Sequence, residues 1–113
     1  MGFLLALSAV FGTACFRESP LVSLDILRTT GGYHISLLAA PGARINARLK
    51  PALELASGEV LRFDSPQVTP DSSYFTGSPA AEVQGAERPR GRIRVAVCAP
   101  GEQVCRRLAF EVR

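Results

Sequence analysis

Two segments near the C-terminus restrict the fold more than anything else in the chain. Arg92-Ile-Arg-Val-Ala-Val-Cys98 and Val104-Cys105-Arg-Arg-Leu-Ala-Phe-Glu-Val112 both alternate with period two, and the turn-forming Ala-Pro-Gly-Glu-Gln lies between them. Placing Cys98 opposite Cys105 fixes an antiparallel register. Ala96 then faces Arg107, Arg94 faces Ala109 and Arg92 faces Glu111 on one side, while Val95 faces Leu108 and Ile93 faces Phe110 on the other. This register yields an apolar inner face, an opposite-charge pair outside and a cross-strand cysteine pair. A slip of one residue would lose all three.

The rest of the chain punctuates itself in the same manner. Residues 21–28 and 33–40 flank Thr29-Thr30-Gly31-Gly32, a hairpin signal with soft boundaries because the alternation is imperfect. Residues 43–50 have helical propensity, but Pro51 ends the run and its short length argues against a stable helix. Residues 52–56 and 60–63 flank Ser57-Gly58-Glu59, a further hairpin signal. Residues 64–79 hold three prolines and form the longest irregular segment, of a kind that is often functional or mobile. Tyr74-Phe75 within it reads as a flap packed back on the domain. Residues 80–84 read as a short edge strand, and residues 85–91 as a turn containing Pro89. About seven short strands at this spacing predict an all-β, antiparallel β-sandwich over residues 21–113. Ile93, Val95, Val97, Leu108, Phe110 and Val112 would fill one side of the core. With no Trp in the chain, Phe63 and Phe110 would be its large anchors.

Residues 1–14 carry no charge and are mostly apolar, a run too short for the ~20 residues of a membrane-spanning helix. They suit a signal peptide, although the first charge is Arg17 and no basic n-region precedes the apolar run. A buried first strand or helix is the alternative. Gly12-Thr-Ala-Cys15 resembles a lipobox, in which Cys15 is lipidated, but Gly12 stands where a Leu, Val or Ile is usual. Ordinary cleavage after Ala14 fits the same residues. Three cysteines leave one over once Cys98 and Cys105 pair, and acylation would give Cys15 a use. Residues 15–20 then read as a tether.

Net charge is +3, and twelve of the thirteen basic residues are Arg. Arg88, Arg90, Arg92, Arg94, Arg106 and Arg107 gather around the last hairpin, which reads as a solvated strand face rather than a nucleic-acid footprint. A zinc site is disfavoured, because the sole histidine, His34, falls on a different strand and reads as a partly exposed strand residue. No Ser/His/Asp set, phosphate loop or cofactor motif can be assembled. A disulfide between Cys98 and Cys105 fits best. Its role stays open between a brace and a redox centre. The redox role draws on an outer-face position within reach of partners, and on Arg106 and Arg107, which favour thiolate beside Cys105.

Tyr33-His-Ile-Ser-Leu-Leu-Ala-Ala-Pro-Gly42, Ile45-Asn46, Leu53-Glu-Leu55, Arg62-Phe63 and the final Gly91-Arg-Ile-Arg-Val-Ala-Val-Cys98…Cys105-Arg-Arg-Leu-Ala-Phe-Glu-Val112 resemble a known family. It is the immunoglobulin-like periplasmic domain of the disulfide bond corrector type, the N-terminal module of the transmembrane thiol:disulfide interchange protein DsbD. The resemblance spans about residues 33–112. It implies an immunoglobulin-like sandwich in the periplasm or cell envelope, with Cys98 and Cys105 passing electrons to or from a thioredoxin-like partner. Cys15 would supply a membrane anchor. In that family an aromatic cap loop shields the disulfide, and Tyr74 and Phe75 are the residues available for that part. The chain departs from the pattern at Gly42-Ala43-Arg44, where the family has Gly-Tyr-His, and in the longer turn holding Pro100-Gly101. The competing expectation is a structural or binding envelope lipoprotein whose disulfide is only stabilising.

Overall fold

A computed structural model of the protein describes residues 21–113. The expected signal peptide (1–14), the tether (15–20) and the lipidation of Cys15 lie outside the described residues. Eight strands follow in chain order: β1 (Val22–Arg28), β2 (Gly32–Ala39), β3 (Arg44–Ile45), β4 (Ala52–Leu55), β5 (Val60–Arg62), β6 (Ala80–Gln84), β7 (Gly91–Cys98) and β8 (Cys105–Val112). One sheet has the order β1-β2-β6. In the other, β7 is central, with β8 along one side and β4 and β3 along the opposite side, and β5 lies outside β4. Every pairing is antiparallel. The domain is an all-β sandwich, as the strand spacing predicts.

The hairpins fall where the turn residues place them. β1 and β2 pair from Val22↔Ala39 to Arg28↔Tyr33 across the Gly31-Gly32 end, and β4 pairs β5 around Gly58. Among the strands β6 pairs only with β2, so it is an edge strand of its sheet, and its first residue, Ala80, also bridges to Asp64. β7 and β8 adopt the register read from the cysteines, running from Gly91↔Val112 to Cys98↔Cys105, with Arg92 and Glu111 bridged at 3.3 Å. Residues 43–50 are not helical. β3 occupies Arg44–Ile45, and Asn46 then caps a bend by accepting backbone bonds from Arg48 and Leu49. That side chain competes with helical hydrogen bonding, so a turn wins over propensity.

The inner faces meet in one core. β2 gives Tyr33, Ile35 and Leu37, β7 gives Ile93, Val95 and Val97, and β8 gives Phe110 and Val112. Phe63 is fully buried and Phe110 nearly so, matching their expected role as anchors. Phe75 joins them, so the flap expected from Tyr74-Phe75 docks by its second residue. Two glycines are required by close backbone approach. A Cβ on Gly32 would lie 1.9 Å from the Val83 carbonyl oxygen, and one on Gly91 would lie 2.1 Å from that of Glu54. Both begin strands squeezed against a neighbour, and any side chain there would push the strands apart.

Candidate functional site

Cys98 ends β7 and Cys105 begins β8, and the directly opposed pair forms a disulfide with Cα atoms 3.9 Å apart. Both lie on the outer face of the larger sheet, since Val97 beside Cys98 points into the core. Exposure differs from the sequence expectation. Cys98 has no solvent-accessible surface, whereas Cys105 is half-buried. The pair is therefore not open to partners across the whole outer face; only the Cys105 side is.

Residues 64–79 supply the cover. The segment folds back as a small hairpin of its own, with bridges Val68↔Phe75 and Asn46↔Tyr74. Backbone bonds from Ala47 to the Ser73 carbonyl and from Phe75 to the Ile45 carbonyl extend β3 into this loop. Phe75 then points into the core, and Tyr74, its neighbour on an extended backbone, points the opposite way. The Tyr74 hydroxyl lies 3.9 Å from Cys98 Sγ and can donate a weak hydrogen bond to it. Tyr74 therefore lies against the Cys98 side of the disulfide.

Arg44 locks the cap from outside. Its guanidinium stacks 4.5 Å from the centre of the Tyr74 ring and donates to the Glu102 carbonyl at 2.6 Å, within the turn that joins the two cysteines. A cation on an aromatic face contributes about 0.5–1 kcal/mol at a half-exposed site. Arg44 also pairs with Cys98 across β3 and β7, so its side chain leaves the same face of the sheet as the disulfide. Gly42, at φ +82°, packs on Pro100 from the same turn, where a Cβ would come within 3.1 Å of the proline ring. Arg106, expected to act on Cys105, instead reaches Glu102 at 3.7 Å. Arg107 stays on the outer face, two residues along β8 from Cys105.

The cap loop carries its own polar scaffold. Thr69 Oγ1 donates to Asp71 Oδ1 at 2.7 Å, and the Ser73 amide donates to the same oxygen at 3.1 Å. Arg48 donates to the Asp71 carbonyl at 2.8 Å. The Thr69 hydroxyl, followed by the Ser73 amide, holds the Asp71 carboxyl down at a pKa of about 2. Ser72 takes a positive φ of 63° to complete the turn. Nothing in the sequence pattern announced Arg44 or Asp71 as parts of the site. The closest signal was the Thr-Pro-Asp-Ser-Ser run, whose hydroxyl and carboxyl groups are suited to side-chain-capped turns.

His34 lies away from the disulfide, on β2 of the other sheet. It pairs with Glu82 across β2 and β6, which is the partly exposed strand position expected of it. Among the described residues no three His, Cys, Asp or Glu side chains gather into a metal-binding cluster. Comparison of the chain with protein-family models, with curated proteins and with solved structures finds no match.

Proposed function

We propose that the domain is a thiol–disulfide exchange module in which Cys98 and Cys105 accept electrons from, or return them to, a dithiol partner of the thioredoxin type. The observation that carries this reading is the asymmetry of the disulfide. Cys105 is half-buried, while Cys98 is fully buried and touches the hydroxyl of a tyrosine whose ring Arg44 holds. A partner thiolate attacks Cys105 Sγ and forms a mixed disulfide there. The Cys98–Cys105 bond breaks and its electron pair leaves on Cys98 as a thiolate. The Tyr74 hydroxyl, its ring held by Arg44, is placed to donate a hydrogen bond to that thiolate. The partner's second thiolate then attacks the partner's own sulfur and releases Cys105. The partner ends as a disulfide and this chain as a dithiol, so two electrons have moved. The reverse sequence reoxidises the pair.

This reading places the protein in an oxidising compartment, the periplasm or cell envelope, with Cys15 as a lipid anchor. Mass spectrometry of the mature protein tests the anchor through the mass added at Cys15.

A second reading, a brace that only stiffens the β7–β8 hairpin in an envelope lipoprotein, is favoured by the complete burial of Cys98. The reduction potential separates the two. Exchange expects a value near about −200 mV, and a brace expects one below about −300 mV. Trapping gives an independent answer. Cys98→Ser leaves Cys105 free to attack an oxidised thioredoxin-like partner and without a neighbour to resolve the adduct, so a lasting mixed disulfide is expected. Cys105→Ser leaves a covered thiol and should trap little. Equal trapping by both variants, or by neither, would remove the exchange reading.

A further inference from the structure

On the outer face of the larger sheet, one row from the disulfide, lies a groove of about 370 Å³. Its floor is set by small residues at successive rows of the sheet. Ala52 pairs with both Arg62 and Arg94, Ala109 pairs with Arg94, and Ala96 pairs with Arg107. Each alanine leaves a gap between long cationic neighbours, and Leu49, 47% exposed, forms an apolar shoulder. Lys50, Arg62, Arg94 and Arg107 all line the groove, and no carboxylate does. Arg94 is held by Glu54 at 3.2 Å and Lys50 by Asp64 at 2.7 Å, both from the margin. Arg62 and Arg107 have no side-chain partner among the described residues.

The next row of the same face after Ala96 and Arg107 is Cys98 and Cys105. In a strand, residues two apart share a face and lie about 7 Å apart along the chain. The groove therefore ends one row short of Cys105, which is half-buried. Two unpaired guanidiniums over an apolar floor offer charge-assisted hydrogen bonds to carboxylates and a surface for the methylenes that bear them.

We propose that this groove docks an acidic, extended segment of the protein that exchanges electrons with the disulfide, and so brings that protein's thiol to Cys105. The inference rests on the exchange reading for what the docked partner does. The recognition of an acidic segment stands on the groove alone.

The test uses the oxidised full-length protein and two kinds of peptide. Fluorescein-labelled hexaglutamate, which has no thiol, is expected to bind saturably, and hexalysine and hexaserine are not. The paired change Arg62→Ser with Arg107→Ser should weaken hexaglutamate binding about tenfold, the loss of two exposed ion pairs. Raising salt from ~0.05 M to ~0.5 M should weaken it in the same direction. The matched change Arg88→Ser with Arg90→Ser, which removes equal charge away from the groove, should leave binding intact. Absence of binding, or equal loss in both paired variants, overturns the groove as a recognition site.

Cysteine peptides flanked by glutamates should then reduce the disulfide about tenfold faster than peptides flanked by serines, and the Arg62/Arg107 change should abolish that advantage. Hexaglutamate binding without a rate advantage overturns the docking role. If neither cysteine peptide nor a thioredoxin-like dithiol reduces the bridge, the exchange reading itself fails, and persistent hexaglutamate binding would mark that failure as separate from the groove's.

Discussion

The two hairpins that meet at the disulfide are built on opposite principles. β7 and β8 are held by eight consecutive residue pairs and by inner-face side chains such as Ile93, Val97 and Phe110 that reach the core. The 68–75 hairpin has one bridge of its own, Val68↔Phe75, and one to Asn46 beyond β3, and it inserts only Phe75 deeply, with Val68 packed at the margin. A few backbone bonds, such as Thr69 to the Tyr74 carbonyl, help to hold its shape. The Thr69 hydroxyl and Asp71 carboxylate, which accept from the Tyr74 and Ser73 amides, and Arg48, which donates to the Asp71 carbonyl, do the rest. The difference assigns separate duties. The strong hairpin sets where the sulfurs are, and the weak one sets who can reach them. A segment with so few backbone bridges is among the parts of a fold expected to open most easily.

The largest effect should come from breaking the strong hairpin in its core. Ile93→Ala removes a fully buried side chain from the centre of β7 and is expected to cost about 2–5 kcal/mol, read as a shift in the urea midpoint. Removing the bridge itself should cost less. With Cys98→Ala and Cys105→Ala together, the loop-entropy estimate for so short a closure is about 2–3 kcal/mol. Amide exchange protection of Ile93 to Val97 should survive, because the apolar register does not need the sulfurs. Collapse of that protection would mean that the bond holds the hairpin, and the contrast between the two regions would fail.

Changes in the cap should move reactivity more than stability. Tyr74→Ala opens the cover over Cys98 and is expected to speed reduction by dithiothreitol about tenfold, a barrier change of ~1.4 kcal/mol, with a smaller change in the urea midpoint. Tyr74→Phe keeps the ring and its Arg44 contact but deletes the hydroxyl beside the leaving sulfur. It should slow reduction. If both variants react at the wild-type rate, Tyr74 neither covers nor assists.

The same contrast explains what was legible in the sequence. Period-two alternation and turn residues define β7 and β8 because every inward residue is apolar from Ile93 to Val97 and from Leu108 to Val112. The β1–β2 and β4–β5 hairpins are readable from their turn residues, Gly31-Gly32 and Gly58, even though the alternation flanking Gly31-Gly32 is imperfect. Residues 64–79 have no period. Their conformation comes from hydrogen bonds such as Thr69 to Asp71 and from pairing with residues 45–47, which are distant in sequence. Burial of Cys98 was therefore hidden. Alternation correctly put it on the outer face, but only a loop with no local signal decides that this part of the face is covered. Arg44 was hidden too, because its roles against Tyr74 and Glu102 join three separate segments.

The smallest effect, and the one that isolates the cap from the hairpin, is a pH dependence centred on Asp71. Its carboxyl is held from the usual 3.8 down to about 2, first by the Thr69 hydroxyl and then by the Ser73 amide. A carboxyl depressed in the folded state stabilises that state fully above its unfolded value, and the contribution is lost as pH falls through the folded one. The cap turn should thus keep its grip above about pH 4 and release it progressively towards pH 2, because a protonated carboxyl accepts these bonds poorly. A phosphine reductant, which needs no thiolate, can follow the disulfide across that range. Reduction should accelerate as the pH falls from 4 to 2, once the reductant's own titration is corrected with a small-molecule disulfide. Asp71→Asn keeps an acceptor without the charge, and should give a flatter profile that already starts nearer the fast limit. Asp64, lowered mainly by Lys50, lies at the start of the same segment, so Asp64→Asn is the control. If Asp64→Asn flattens the profile and Asp71→Asn does not, the grip on Tyr74 lies at the base of the loop rather than at its tip.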